Sequence, residues 1–239
     1  AMVTTSVAMM KVMEERGIHA DVAAGLSLGE YCALVAAGVM TADDAVRTVR
    51  ERGILMQEAV PAGVGGMSAV LGMTADEINA VVDEIPNVQV ANYNCPGQIV
   101  ISGLKEAVET AAVKLKEAGA RRVIPLNVSG PFHSYLLEEA GERLGRFLEN
   151  IPVSEPKIPY VANVTAAYVT KAEDVKPLLT RQVSSSVRWQ QSVETMLADG
   201  VDRFIEIGPG KTLAGFIRKI NREATVINIE KFEDLEKLN

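Results

Sequence analysis

The chain has 239 residues, 48% of them apolar and 23% charged, enough to bury one full core or a core with a smaller unit set into it. A formal charge of −7 and a pI near 5.1, with Lys and Arg scattered among acids, exclude a broad basic surface for nucleic acid or anionic lipid. No apolar run reaches the roughly 20 residues of a spanning helix, and no charged leader precedes an apolar stretch. Two cysteines, Cys32 and Cys95, are too few for a disulfide framework and have no partners at ligand spacing, so a cytoplasmic protein with reduced thiols and no metal site is expected.

The pattern from Met2 to Arg16 predicts a helix stopped by Gly17. Val22-Ala23-Ala24 reads as a short strand entering Gly25-Leu26-Ser27-Leu28-Gly29, and Glu30 to Ala37 as the helix that leaves it. A second helix starts at Thr41, capped with Asp44, and shows Val46, Val49, Gly53, Met56 and Val60 on one face as far as Pro61. Next come a strand Met67 to Leu71, a helix Thr74 to Glu84, strands Val88 to Tyr93 and Gln98 to Ser102 with a hairpin at Asn94-Cys95-Pro96-Gly97, a helix Leu104 to Ala118 and a strand Arg122 to Leu126. That βαββαβ order is the ferredoxin-like pattern, and residues 63–127 are read as an inserted subdomain. Residues 1–62 and 128–239 form the main domain: a helix Ser134 to Leu148, a strand Tyr160 to Val164, helical stretches Pro177 to Arg181 and Trp189 to Leu197, a strand Arg203 to Ile207, a helix to Ile220 and a strand Thr225 to Ile229. Alternating strands and helices predict an α/β fold with a mostly parallel, covered sheet.

Gly-x-Ser-x-Gly between a strand and a helix is nucleophile-elbow geometry: glycines stand where side chains obstruct the turn, Ser27 projects, and the Leu28 amide points out as an oxyanion donor. The alternative is a structural turn that contains a serine. A serine nucleophile needs a base, and the chain has two histidines. His19 reads as an exposed loop residue. His133 opens a helix, whose positive end disfavours imidazolium, or else it only caps or packs. Arg52 falls within the apolar arc of its helix while Arg47, Arg50, Glu51 and Glu58 face away. A guanidinium there pairs with a structural carboxylate, pairs with a substrate carboxylate, or snorkels to the edge, and the pattern leaves the three open.

Gly25 to Tyr31, Arg52-Gly53 with Met56-Gln57, Asn92 to Gly103, Val128 to Ser134, Gln182 ahead of Val187-Arg188-Trp189, and Glu206 to Lys211 resemble, in order, the motifs of the malonyl-CoA:acyl-carrier-protein transacylase family. The resemblance spans nearly the whole chain and implies an α/β-hydrolase-like core carrying the ferredoxin-like insert. It implies that Ser27 is acylated, that His133 is base and later acid, that Arg52 grips the free carboxylate of malonate, and that Gln182 presents its side-chain carbonyl to the imidazole. Phe132 is similar to the malonyl-selective form, because a bulky ring there crowds an α-methyl branch. The activity implied is ping-pong transfer of malonyl from malonyl-CoA to the phosphopantetheine thiol of acyl carrier protein in fatty-acid synthesis, with no metal or redox cofactor, by a monomer. An acidic carrier protein calls for a local basic patch, for which Arg121 and Arg122 are the first candidates and Lys211 and Arg218 the second.

Leu26 stands where the family usually has His, and Ser186 where Pro commonly precedes the Val-x-Trp block. The family's first strand and Gly-Gln-Gly-Ser-Gln loop, the source of a second oxyanion donor, have no counterpart ahead of Met2, so a piece of a longer protein or a weakened enzyme is expected. The last residues, from Lys231 on, read as a natural end. Two other functions stay open at this stage: a serine (thio)esterase, and an inactive relative that only binds carrier protein.

Overall fold

The computed structural model describes residues 1–238. Helix α1 (Met2–Glu15) turns Val3, Val7, Met10 and Met13 inward at three- and four-residue spacing and ends before Gly17, whose φ of 77° is the left-handed stop. Strand β1 (Ala23–Ala24) leads into helix α2 (Gly29–Ala36). Helix α3 (Ala42–Glu58) follows, capped by Thr41 Oγ1, which accepts from the Asp44 amide at 3.1 Å. Its inward face is Ala45, Thr48, Arg52, Leu55 and Met56; Val46 and Gly53, expected on it, are exposed. Counting from Ala45 at helical spacing explains the shift, since Val46 and Gly53 each lie one residue past an inward position, Ala45 and Arg52.

Strand β2 (Gly65–Leu71), helix α4 (Ala75–Val82), strands β3 (Val88–Cys95) and β4 (Gln98–Leu104), helix α5 (Lys105–Glu117) and strand β5 (Arg122–Pro125) build one antiparallel sheet in the order β3-β4-β2-β5. Under it Val70, Ile78, Val82, Ile99, Ile101, Val108 and Leu115 are packed with the two helices in a core of their own. Each such buried aliphatic chain contributes about 1.5–3 kcal/mol. Thr74 and Glu77 close a reciprocal capping box at the start of α4.

The chain then makes a short 3₁₀ turn, Tyr135–Leu137, before helix α6 (Glu138–Glu149). Strands β6 (Tyr160–Val161) and β7 (Tyr168–Val169), helices α7 (Ala172–Gln182) and α8 (Trp189–Ala198), strand β8 (Arg203–Ile207), helix α9 (Thr212–Ile220) and strand β9 (Thr225–Ile229) complete the order, with a 3₁₀ segment Phe232–Leu238. The mostly parallel sheet expected here is divided. β1 pairs with β6 in parallel and β6 with β7 antiparallel, while β8 and β9 pair in parallel as a separate sheet. β7 is too short to leave a period in the sequence, and β6 stops at Val161 instead of Val164 because Asn163 leaves the ladder for the site described below. Pro177 lies inside α7 instead of opening it.

The four-stranded sheet is tied to the rest of the chain along β3. Tyr93 donates its amide to the Val187 carbonyl at 2.9 Å and Val187 returns one to Ala91 at 2.8 Å. Ser186 Oγ donates to the Val90 carbonyl at 2.5 Å, a bond its hydroxyl adds at the seam. No described helix is long and apolar enough to cross a membrane.

Candidate active site

Ser27 sits at the turn between β1 and α2 with a φ of 52°, a left-handed conformation that costs a non-glycine residue about 1–3 kcal/mol and persists only where its surroundings hold it. The holder is Asn163, just beyond β6: its Oδ1 accepts from the Ser27 amide at 2.5 Å and its Nδ2 donates to the Gly25 carbonyl at 2.6 Å. Only one of the two motif glycines is compelled by space. A side chain at Gly25 collides with the backbone of Gly29, whereas one at Gly29 meets nothing. The amides of Gly29, Glu30 and Tyr31 bond back to Leu26, Ser27 and Leu28, which leaves the Leu28 amide without a backbone acceptor among the described residues.

His133 lies 106 residues further on, also with positive φ, 57°, and its Nε2 is 2.7 Å from Ser27 Oγ. Its Nδ1 is 2.9 Å from the backbone carbonyl of Gln182. A carbonyl only accepts, so Nδ1 carries the proton and Nε2 is free to accept from the serine hydroxyl. The role expected for the Gln182 side chain therefore belongs to that residue's main chain. The expectation that His133 opens a helix also fails: α6 begins at Glu138, beyond the 3₁₀ turn. Burial first, and the positive charge of Arg52 second, push the imidazole down to about 4.

Arg52 comes in from the inward face of α3. Its Nη2 donates to Ser27 Oγ and to Gln182 Oε1, both at 3.0 Å, and its Nε is buried with no partner. It is 5% exposed, makes no direct ion pair with a carboxylate among the described residues, and lies 5.8 Å from the Tyr31 ring centre. Of the three fates left open for it, snorkelling and a structural ion pair are absent. Gln182 Nε2 donates to the Ser27 carbonyl at 2.9 Å and to Glu30 Oε2 at 2.7 Å, so its amide orientation is fixed from both ends.

A cavity of about 430 Å³ opens over these groups, lined by Leu26, Ser27, Arg52, Met56, Phe132 and His133 among others. Met67 and Val100 from β2 and β4 form its opposite wall, so the cleft runs between the elements that carry Ser27, Arg52 and His133 and the four-stranded sheet. Ser27, Leu28, His133, Arg52, Gln182 and Phe132 are thus brought together, while Arg121 and Arg122 are not. Those two are exposed beside a second cavity of about 380 Å³ that includes Leu71, at the far end of β5. About 13 Å of strand separates Arg122 from Leu126, which lines the site. Lys211 and Arg218 are exposed as well, and Arg218 is engaged with the Val226 carbonyl at 2.9 Å. His19 is exposed, and no group of three or more His, Cys, Asp or Glu among the described residues is placed to hold a metal.

Three participants escape sequence reasoning. Glu30 is 1% exposed, and its signal is visible: it is the one charged residue in the apolar run of α2. Asn163 leaves no signal, because its partners lie about 136 positions away. Gln89, on β3, donates to the carbonyls of His133 and Ser184 at 3.2 and 3.3 Å and accepts from the Tyr135 amide at 3.0 Å, holding the strained His133 loop from the neighbouring sheet.

A family model described as the acyl transferase domain matches residues 1–232. The malonyl CoA-acyl carrier protein transacylase of Bacillus subtilis is 48% identical over 240 residues, covering 99% of this chain and 76% of that protein. An acyl carrier protein S-malonyltransferase from Vibrio cholerae superposes with a TM-score of 0.97 at 41% identity over 99% of this chain and 79% of its own. A malonyl-transacylase in complex with a type II PKS acyl-carrier protein gives 0.95 at 40% identity over 98% of this chain and 77% of its own. With a serine, a histidine and an arginine gathered over one cleft and these relatives matched along nearly its full length, the chain belongs to the acyl transferase domain family.

Proposed function

We propose that this chain transfers a malonyl group from malonyl-CoA to the phosphopantetheine thiol of an acyl carrier protein through a malonyl-Ser27 intermediate, supplying fatty-acid synthesis. The observation that carries the reading is Arg52: a buried guanidinium, 3.0 Å from the candidate nucleophile, with an unpartnered Nε and no protein carboxylate against it. Such a group demands an anion, and a carboxylate two carbons from a thioester carbonyl supplies one while placing that carbonyl at Ser27. The names of the relatives support the same reaction, and the transacylase complexed with a carrier protein supports that partner.

In this reading Ser27 Oγ passes its proton to His133 Nε2 and attacks the thioester carbonyl. The Leu28 amide faces the developing oxyanion, and His133 returns the proton to the departing CoA sulfur. The carrier protein's thiol then loses its proton to the same imidazole and attacks malonyl-Ser27; the ester bond breaks, and the imidazole gives the proton back to the departing Ser27 Oγ. The Gln182 main-chain carbonyl keeps the ring in the working tautomer but, being neutral, stabilises imidazolium less than a carboxylate does. Burial and the positive charge of Arg52, outweighing that carbonyl's pull toward imidazolium, keep His133 a free base across the working range. Phe132, on the cavity wall, narrows the space beside the malonyl α-carbon. Arg121 and Arg122 offer the acidic carrier protein a basic edge on β5. The chemistry runs on the chain's own groups and needs no resident cofactor.

The finer architecture belongs to the same reading. The order β3-β4-β2-β5 with α4 and α5 supports a ferredoxin-like subdomain at 63–127, and the elbow on β1 supports an α/β-hydrolase-like core from 1–62 and 128–239. The test is covalent: incubation with malonyl-CoA gives a malonyl adduct on Ser27 that persists until carrier protein is added. Rapid release of free malonate without carrier protein makes the chain a hydrolase, and no adduct at all removes the transferase reading.

A further inference from the structure

The transfer steps above leave Glu30 idle, although it is buried at the centre of the site. Its Oε2 accepts from Gln182 Nε2 at 2.7 Å and from the Asn163 amide at 3.2 Å, and Gln182 Oε1 accepts from Arg52. Carboxylate and guanidinium are therefore joined across one amide and never touch. The groups facing Glu30 are Tyr31 on α2, Arg52 on α3, Tyr160 on β6, Gln182 on α7 and Asn163 beyond β6. Asp174 faces Tyr160, and His133 faces Arg52. Arg52 supplies the positive charge of this set, His133 is neutral, and the hydroxyls of Tyr31 and Tyr160 are buried without partners. Arginine and glutamate balance in the free site. A substrate carboxylate on Arg52 leaves one negative charge in excess, in a place where water does not screen it.

We propose that Glu30 is the charge-balancing positioning residue of the transfer reaction: as the substrate's free carboxylate pairs with Arg52, Glu30 takes one proton from solvent and becomes a neutral carboxyl still held by Gln182. The inference rests on the reading of Arg52 as the partner of malonate. The step balances as a carboxylate plus a proton giving a carboxylic acid, with no bond to substrate made or broken at Glu30. Burial already holds Glu30 up at about 7 while the bonds from Gln182 and Asn163 and the field of Arg52 pull it down. Spending that field on the substrate raises it further, which is the direction of proton uptake. A neutral Glu30 lets Gln182 keep its amide fixed while Arg52 turns from Ser27 Oγ to the substrate.

Calorimetric titration of the Ser27→Ala chain with malonyl-CoA at pH 7.5, in two buffers of different ionisation heat, counts the protons taken up. After subtraction of the same titration with CoA, about three quarters of a proton per site is expected, falling to near zero in the Ser27→Ala, Glu30→Gln chain. In steady state the KM for malonyl-CoA of the unaltered chain rises about five- to tenfold from pH 7.5 to 8.5, stays flat in Glu30→Gln, and recovers its slope in Glu30→Asp. A purely structural role lowers yield or kcat at every pH and leaves that slope in place. Proton uptake that persists in the double variant, or is missing when Ser27→Ala binds malonyl-CoA, overturns the proposal. If Glu30→Gln does not fold, the proton count of Ser27→Ala and the KM profile of the unaltered chain decide it. Failure of the unaltered chain to form malonyl-Ser27 sinks the reading of the site instead, so the two failures are distinguishable.

Discussion

The interior beneath β2 to β5 and the interior behind Ser27 lie on either side of one cleft and differ in kind. The first is aliphatic: Ile78, Ile101, Leu115 and their neighbours fill it, β2 pairs in unbroken register with β4 and β5, and its helix α4 begins with a complete capping box. The second holds Glu30, Arg52, His133, Asn163 and Gln182, none more than 5% exposed, and two residues in left-handed backbone conformations. Apolar burial governs one and hydrogen-bonded polar burial the other. The strained serine and histidine persist because Asn163 and Gln89 hold them from other elements, and the guanidinium persists without a direct carboxylate contact because the site has a use for it.

The contrast is broken most sharply by emptying the aliphatic side. Leu115→Ala, at a fully buried position of the sheet's own core, is expected to lose about 2–5 kcal/mol of stability by denaturant titration while turnover per folded molecule stays near normal. A large fall in turnover at full folding would mean that the two interiors are mechanically one. On the polar side, Arg52→Ala should lower kcat/KM for malonyl-CoA by about 10²-fold, close to the cost of truncating a buried charged partner, and should lose preference for malonyl over acetyl thioesters. Equal loss with both thioesters would argue that Arg52 supports structure only.

Gln89→Ala tests the seam between the regions. Removing its bonds to His133, Ser184 and Tyr135 should reduce kcat about tenfold with little change in KM for malonyl-CoA, because it loosens the base and not the carboxylate site. A rise in KM alone would place Gln89 in binding. The smallest effect belongs to the outer edge: Arg121→Ala with Arg122→Ala should raise KM for carrier protein a few-fold, more at low salt than at high, and leave malonyl-Ser27 formation unchanged. A salt-independent result removes that edge from docking.

Much of this arrangement is legible in the residues. The βαββαβ order of the four-stranded sheet, the cap at Thr41, the turn at Ser27 and the inward setting of Arg52 all follow from period and spacing, because they are short-range consequences of where a helix or strand turns its next side chain. The same reasoning put Val46 and Gly53 on the inward face of α3, each one residue past a position that faces in, and extended β6 through Asn163. It also read a helix start at His133, where the depressed imidazole owes its shift to burial and Arg52.

What the sequence by itself determined is therefore most of the elements and their order, β7 excepted, and the chemical types placed at their ends. Tertiary structure alone decided that Gln182 serves the imidazole with its main chain and Arg52 with its side chain, that Asn163 grips the elbow, and that Glu30 shares a buried cluster with a guanidinium it does not touch. The physical reason is reach. Periodicity reports which face a residue occupies, whereas hydrogen bonds and buried charges are settled by partners brought more than a hundred residues across the chain, at distances where a fraction of an ångström separates a bond from none.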